Sequence, residues 1–175
     1  MELSFYHLCT SEDHADFLIS DSDFKTAINV LALCVALFSG LEIYCFEFMS
    51  NHMHFLLHGS SDTIETFFRF YIKVLSKSFK AEGKVDDITD LSYKCYETVD
   101  RSHLLNSIVY IHRNASVVDN KLSPYTYKWG TGRYYFNPEA RARYNSVKQK
   151  VTMNQRQLFS HLPHGRFLRL QRHAD

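Results

Sequence analysis

Two histidines lie two positions apart in the segment NHMHFLLHG, residues 51 to 59. Because side chains alternate between the two faces of a strand, His52 and His54 would lie on one face and the apolar residues between and after them on the other. Two neutral imidazoles on one face are a possible site for a divalent metal ion. The pair alone does not decide the matter, since a strand of this composition can carry histidines for packing.

A second group of polar residues follows in YIHRN, residues 110 to 114. In a helix that advances about 100° per residue, Tyr110 and Asn114 lie one turn apart, opposite a predicted apolar row. The apolar row consists of Leu104, Leu105, Ile108, Val109 and Ile111. The polar side consists of His103, Asn106, Ser107, Tyr110 and Asn114. Two imidazoles and one amide oxygen can bind Mg²⁺ or Mn²⁺, and a phenol beside them can act as a nucleophile toward a phosphodiester.

The elements that must position these residues follow from hydrophobic periodicity and from turn and capping residues. The patterns predict strands at 3–9, 41–49, 51–59 and 92–98, and helices at about 21–39, 61–81 and 102–114. The order β-α-β-β-α-β predicts an α+β, ferredoxin-like fold. In this fold an antiparallel sheet carries two helices on one face, and the tyrosine-bearing helix follows the last strand.

The composition is that of a globular protein: 45% of the 175 residues are apolar and 15% are aromatic. We predict one domain at 1–136 and a basic C-terminal extension at 137–175. Four widely spaced cysteines without a CxxC pair indicate reduced thiols and a cytoplasmic protein. The longest apolar run is much shorter than the roughly 20 residues that a membrane-spanning helix needs, so we expect no membrane association.

Charge is distributed unevenly along the chain. Residues 133–175 contain nine Lys or Arg and two acidic residues, which leaves eleven basic and seventeen acidic residues in 1–132. Such an asymmetry favours a polyanionic partner such as nucleic acid, although a solvated tail would show the same pattern. Further candidates for nucleic-acid contacts are Arg69, Lys73 and Lys77 on the second helix, and Trp129 and Arg133 in an aromatic segment. The alternatives are a solvated helix face and aromatic packing.

The sequence resembles the single-tyrosine "HUH" DNA transposases, a family that includes insertion-sequence transposases and REP-associated tyrosine transposases. NHMHFLLHG resembles the His-hydrophobic-His motif, YIHRN the tyrosine-helix motif, and PYTYKWGTGRYYF (124 to 136) the Pro- and Trp-containing stretch that follows it. The three motifs occur in the family's order between about residues 5 and 136. Two features differ from the family pattern: Ala115 stands where a proline usually follows, and the Gly- and Trp-containing approach to the fourth strand is absent.

The resemblance implies that His52 and His54 bind Mg²⁺ or Mn²⁺, that Asn114 assists at the metal, and that Tyr110 forms a 5′-phosphotyrosyl bond. It also implies single-stranded or hairpin DNA as substrate, cleavage and rejoining without a nucleotide cofactor, and either monomers or homodimers. In some dimeric relatives, the tyrosine helix serves the histidine pair of the partner. A module that binds DNA or RNA hairpins without cutting them is the alternative on the same fold. A cupin-type HxH metalloenzyme is disfavoured, because the chain has two long helical patterns and only six glycines.

Overall fold

The computed structural model describes residues 3–84, 87–137 and 139. Nearly all of the predicted C-terminal extension, 137–175, therefore lies outside the described residues. The strands are β1 (Ser4–Thr10), β2 (Glu42–Phe48), β3 (Met53–Gly59) and β4 (Tyr93–Glu97), and the helices are α1 (Asp21–Leu37), α2 (Ser61–Ala81), α3 (Arg101–Val118) and α4 (Gly132–Phe136). The predicted order of elements is confirmed, and α4 is a short helix that periodicity did not predict.

The four strands form one antiparallel sheet in the order β2-β3-β1-β4. This is the ferredoxin-like order, so the predicted fold class is confirmed. The strand β3, which follows His52 and contains His54, is one of the two central strands. Its neighbours are β1, where Cys9 is opposite His54, and β2, where Glu47 is opposite His54.

Helices α1 and α2 cover one face of the sheet and form the main hydrophobic core with it. Met53, Phe55 and Leu57 alternate along β3 and are fully buried on this face. The N-terminus of α1 carries a capping box, in which Ser20 accepts from the backbone N–H of Asp23 and the Asp23 carboxylate accepts from that of Ser20. With these two helices on one face, the intervening residues of β3 point to the other.

Helix α3 lies on that other face, where Ile111 packs against Leu56 and Cys45. The predicted apolar row of this helix is partly wrong. Leu105 and Val109 are about half exposed, whereas Ser107 is buried and donates through its hydroxyl to the carbonyl of His103. The sheet surface beneath α3 contains histidines and a carboxylate as well as apolar groups, so the buried side of the helix is set by this mixed surface rather than by the side richest in apolar residues.

The aromatic segment after α3 returns to the open edge of β2. Gly130 forms a β-bridge with Glu47, and the backbone N–H of Thr131 donates to the carbonyl of Phe46. An added Cβ at Gly130 would lie only 3.1 Å from the Phe46 carbonyl oxygen, so this close approach favours glycine. The segment is therefore hydrogen-bonded to the edge strand β2.

Within the described residues, none of the helices combines the length and the apolar character needed to cross a bilayer.

Candidate active site

The two histidines of the HxH pair are buried next to each other on the α3 side of the sheet. His52 is 5% exposed and His54 is 2% exposed. Their ring centroids are 5.0 Å apart and the ring planes are perpendicular. The predicted pairing of the two imidazoles is therefore found.

Each of the two rings has a hydrogen-bonded neighbour at Nδ1. The Nδ1 of His52 lies 2.8 Å from the side-chain oxygen of Asn51, and the Nδ1 of His54 lies 3.2 Å from Nε2 of His7. When each Nδ1–H donates to its neighbour, each Nε2 keeps a lone pair. Such partners orient metal-ligating histidines and fix their tautomers in many metal sites.

The Nε2 atoms of both His52 and His54 are buried and have no hydrogen-bond partner. Burial lowers the pKa of His52, and burial together with the neighbouring histidines lowers the pKa of His54 to about 3. Both rings are thus neutral near pH 7 and have the protonation state of metal ligands. Buried nitrogens without a partner are costly, and a divalent cation would satisfy both. The donor set therefore fits the metal that the sequence implies.

Tyr110 lies on α3 with its ring beside the histidines. Its centroid is 5.7 Å from that of His54 and 5.6 Å from that of His7, both in edge-to-face arrangements. The side chain is 49% exposed, so its ring is not enclosed in the core. One chain thus brings the histidine pair and a solvent-accessible phenol together.

Asn114, the third predicted metal ligand, forms hydrogen bonds within its own helix. Its amide nitrogen donates to the carbonyls of Tyr110 and Ile111, at 2.9 and 3.2 Å. The NH₂ group is therefore committed to the backbone of its own helix. Its role as a ligand stays a prediction.

Glu47 joins β2 to α3 behind the site. The carboxylate is fully buried and accepts from the backbone N–H of Ala115 at 2.8 Å. Burial raises the pKa of Glu47 from 4.5 to about 7, although the hydrogen bond from Ala115 opposes this shift. This buried acceptor anchors α3 to the sheet. It therefore also helps to fix the position of Tyr110 on that helix.

No protein-family model and no curated protein matches the chain. The REP-associated tyrosine transposase solved in complex with a REP hairpin superimposes with a TM-score of 0.57 and 12% identity, over 74% of this chain and 75% of the other. The two proteins share a fold. A proposed transposase from Deinococcus radiodurans R1 gives a TM-score of 0.44 and 18% identity over 70% of this chain and 94% of its own. The fold assignment is based on the first of these structures.

Within this fold, the predicted basic residues of α2 do not approach the histidine pair. Arg69, Lys73 and Lys77 are exposed on α2, which covers the opposite face of the sheet. Arg69 forms an i,i+4 ion pair with Glu65 at 2.7 Å. A nucleic-acid role for these residues would require a surface separate from the candidate active site.

The two predicted contacts from the aromatic segment are engaged within the protein. Trp129 stacks on Phe24 at a centroid distance of 4.8 Å and packs against the main core. The guanidinium of Arg133 donates to the hydroxyl of Tyr134 and lies over its ring. These contacts favour the packing interpretation of the segment, and base stacking by Trp129 stays a prediction.

Four residues near the site were missed by the sequence reasoning: His7, Glu12, Asn51 and Glu47. They come from two strands and two loops: His7 from β1, Glu12 from the loop after it, Glu47 from β2 and Asn51 from the turn before β3. His7 and Glu12 are far from the HxH pair in sequence, and no motif connects Glu47 to it. Asn51 alone offered a local signal, because it directly precedes His52 and a carboxamide there can bond the ring.

Proposed function

We propose that the chain is a transposase-like DNA strand transferase that cleaves and rejoins single-stranded DNA near a hairpin, with Tyr110 as the nucleophile. The observation that carries this proposal is the arrangement at His54. Its Nε2 is buried and has no hydrogen-bond partner. The centroid of the accessible Tyr110 ring is 5.7 Å from the centroid of the His54 ring. The shared fold and the hairpin bound by the structural neighbour agree with this assignment.

In the proposed reaction the Tyr110 hydroxyl oxygen forms a bond to a DNA phosphorus while the bond from phosphorus to the 3′ oxygen breaks. The phenolic proton is transferred in net terms to the departing 3′ oxygen, which leaves a free 3′ hydroxyl. The DNA is then attached through its 5′ phosphate to the protein. Because one phosphodiester replaces another, the bond energy is kept for rejoining.

His52 and His54 would hold Mg²⁺ or Mn²⁺ through their Nε2 atoms. When bound, the ion would stabilise the negative charge that develops on the reacting phosphate. His7 and Asn51 keep the two rings in the tautomer that presents Nε2. Glu47 fixes α3, so that the phenol stays at the edge of the site.

The test is the formation of a covalent adduct between the full-length protein and a single-stranded oligonucleotide that carries a hairpin, in the presence of Mn²⁺. We expect an adduct that survives denaturing electrophoresis and that Tyr110→Phe cannot form. The alternative, a module that binds hairpins without cutting them, predicts salt-sensitive binding that EDTA and Tyr110→Phe leave unchanged, with no adduct.

A further inference from the structure

The loop after β1 places the carboxylate of Glu12 at the histidine pair. One oxygen, Oε1, is 4.0 Å from Nε2 of His52. One ligand atom from each of Glu12, His52 and His54 lies within 4.8 Å of the other two. The Glu12 side chain is largely exposed, whereas both rings are buried. The carboxylate can therefore adjust its position by small rotations, while the imidazoles are held in place.

The buried Nε2 atoms of His52 and His54 are the independent sign that a ligand belongs here. Neither has a hydrogen-bond partner, and folding that leaves two such atoms unpaired costs free energy. The nearby Glu12 oxygen has no proton to donate when it is ionised, so it does not satisfy the nitrogens by itself. A cation between the three groups satisfies all of them.

Asn51 connects both sides of this arrangement. Its amide nitrogen donates to the backbone carbonyl of Glu12 at 2.8 Å, and its side-chain oxygen lies 2.8 Å from Nδ1 of His52. A single side chain thus holds the Glu12 loop against the sheet and sets the tautomer of His52. Paired support of this kind is typical of residues around a metal ion.

Two other groups are competing candidates. A second cluster consists of His7, Cys9 and His54, but the contact between Nε2 of His7 and Nδ1 of His54 occupies the ring nitrogens that face each other there. Asn114 donates through its amide nitrogen to two carbonyls of its own helix, which leaves its oxygen as the atom that could bind an ion, so Asn114 is compared directly with Glu12 in the test below.

We propose that Glu12 is the third protein ligand of a divalent cation bound by His52 and His54, with Asn51 as the residue that positions both Glu12 and His52. This inference depends on the histidine pair of the proposed function and adds a third ligand, a place that the family resemblance gives to Asn114. Two imidazoles and one carboxylate form a donor set that favours Mn²⁺ over Mg²⁺, because Mg²⁺ prefers oxygen ligands. The carboxylate also contributes one negative charge, which an amide cannot.

The test is Mn²⁺ binding by the full-length chain, stripped of metal with EDTA and titrated while free Mn²⁺ is followed by electron paramagnetic resonance. We expect Glu12→Gln and Asn51→Ala each to weaken Mn²⁺ binding by about 10- to 100-fold. Glu65→Gln, which removes the same charge on the opposite side of the sheet, should stay within about twofold of the wild type, and Asn114→Ala should lose less Mn²⁺ affinity than Glu12→Gln.

Three results would overturn the inference: wild-type protein that does not bind Mn²⁺, Glu12→Gln that binds as tightly as the wild type, or a larger loss in Asn114→Ala than in Glu12→Gln. Adduct formation is scored separately on the same variants. Mn²⁺ binding through Glu12 without any DNA adduct would contradict the proposed function alone. An adduct formed by a protein whose Mn²⁺ affinity does not depend on Glu12 would contradict this inference alone.

Discussion

The ring of Tyr110 lies edge-on to the ring of His54 in the same chain, with the centroids 5.7 Å apart and the planes at 84°. Helix α3 thus places Tyr110 beside the histidine pair of its own chain. Under the proposed function, Tyr110 would act as the nucleophile at the site of that same chain. We therefore predict an arrangement that differs from dimers in which the tyrosine helix crosses to the other subunit.

Mixing two inactive variants should therefore not restore activity. Tyr110→Phe lacks the proposed nucleophile and His54→Asn lacks a proposed metal ligand. In a site formed within one chain, the intact residue of each variant lies beside the substituted one, so neither variant has a complete site. We expect an equimolar mixture to form no more DNA adduct than either variant alone, measured after the chains are unfolded and refolded together. If the sites were shared between subunits of a dimer, statistical mixing would restore roughly a quarter of the wild-type sites.

The contact between His7 and His54 should affect metal affinity. In the tautomer of His54 that keeps Nε2 free for a metal, Nδ1–H donates to Nε2 of His7, and replacing His7 by Phe removes this acceptor and leaves a ring of similar size. We expect Mn²⁺ binding to weaken by about 10-fold or more, measured by titration with detection of free Mn²⁺. His7→Gln offers a side-chain oxygen as acceptor and should recover part of the affinity. Equal binding by wild type and His7→Phe would show that this contact does not set the tautomer.

The strands, the first two helices and the position of Tyr110 were predictable because they depend on local patterns. The alternation of residues around His54 predicts a strand with the histidines on one face and apolar residues on the other, and the apolar row of α3 predicts a helix with Tyr110 and Asn114 on its other side. The positions of Glu12 and Glu47 near the histidines were not predictable from local patterns. Both residues reach the site because of the way the strands pair in the folded sheet. The buried side of α3 was mispredicted at Leu105 and Val109, because the surface it covers is itself partly polar.

Glu47 should make stability depend on pH. Its pKa is raised from 4.5 to about 7 in the folded protein by burial. A raised pKa means that the stabilising contribution is complete below pH 4.5 and is lost as the pH rises through 7. Glu47→Gln remains neutral and keeps an acceptor for the N–H of Ala115. In EDTA, we expect the free energy of unfolding of Glu47→Gln relative to wild type to increase by about 2 kcal/mol between pH 5 and pH 8.

The measurement for Glu47 is urea denaturation of both proteins at each pH, so that other titrating groups cancel in the comparison. A difference in stability between the two proteins that stays constant from pH 5 to pH 8 would contradict the assignment of a near-neutral pKa to this carboxyl group.

Trp129 should contribute to stability rather than to DNA binding. Its ring stacks on Phe24 with centroids 4.8 Å apart, so Trp129→Ala should lower the free energy of unfolding by about 2 kcal/mol, somewhat less than for a fully buried aromatic. Hairpin affinity, measured below the unfolding transition, should change little. Tyr125 is 54% exposed in the same segment and provides the comparison. If aromatics of the segment stack on bases, Tyr125→Ala should weaken hairpin binding by about 1 to 3 kcal/mol.

The opposite pattern would contradict the packing interpretation: Trp129→Ala with wild-type stability and a large loss of hairpin affinity. The basic residues of α2 can be scored in the same assay, since Lys73→Gln and Lys77→Gln should reduce the salt dependence of binding only if DNA reaches that face.

The identity of the DNA-linked residue tests the central claim most directly. Wild-type protein is incubated with Mn²⁺ and a single-stranded hairpin oligonucleotide, digested with nuclease and protease, and analysed by mass spectrometry. We predict a peptide in which Tyr110 carries a nucleotide through its 5′ phosphate, and no such product from Tyr110→Phe. A nucleotide linked to any other residue, or no adduct with varied hairpins from a protein that binds Mn²⁺, would contradict the account.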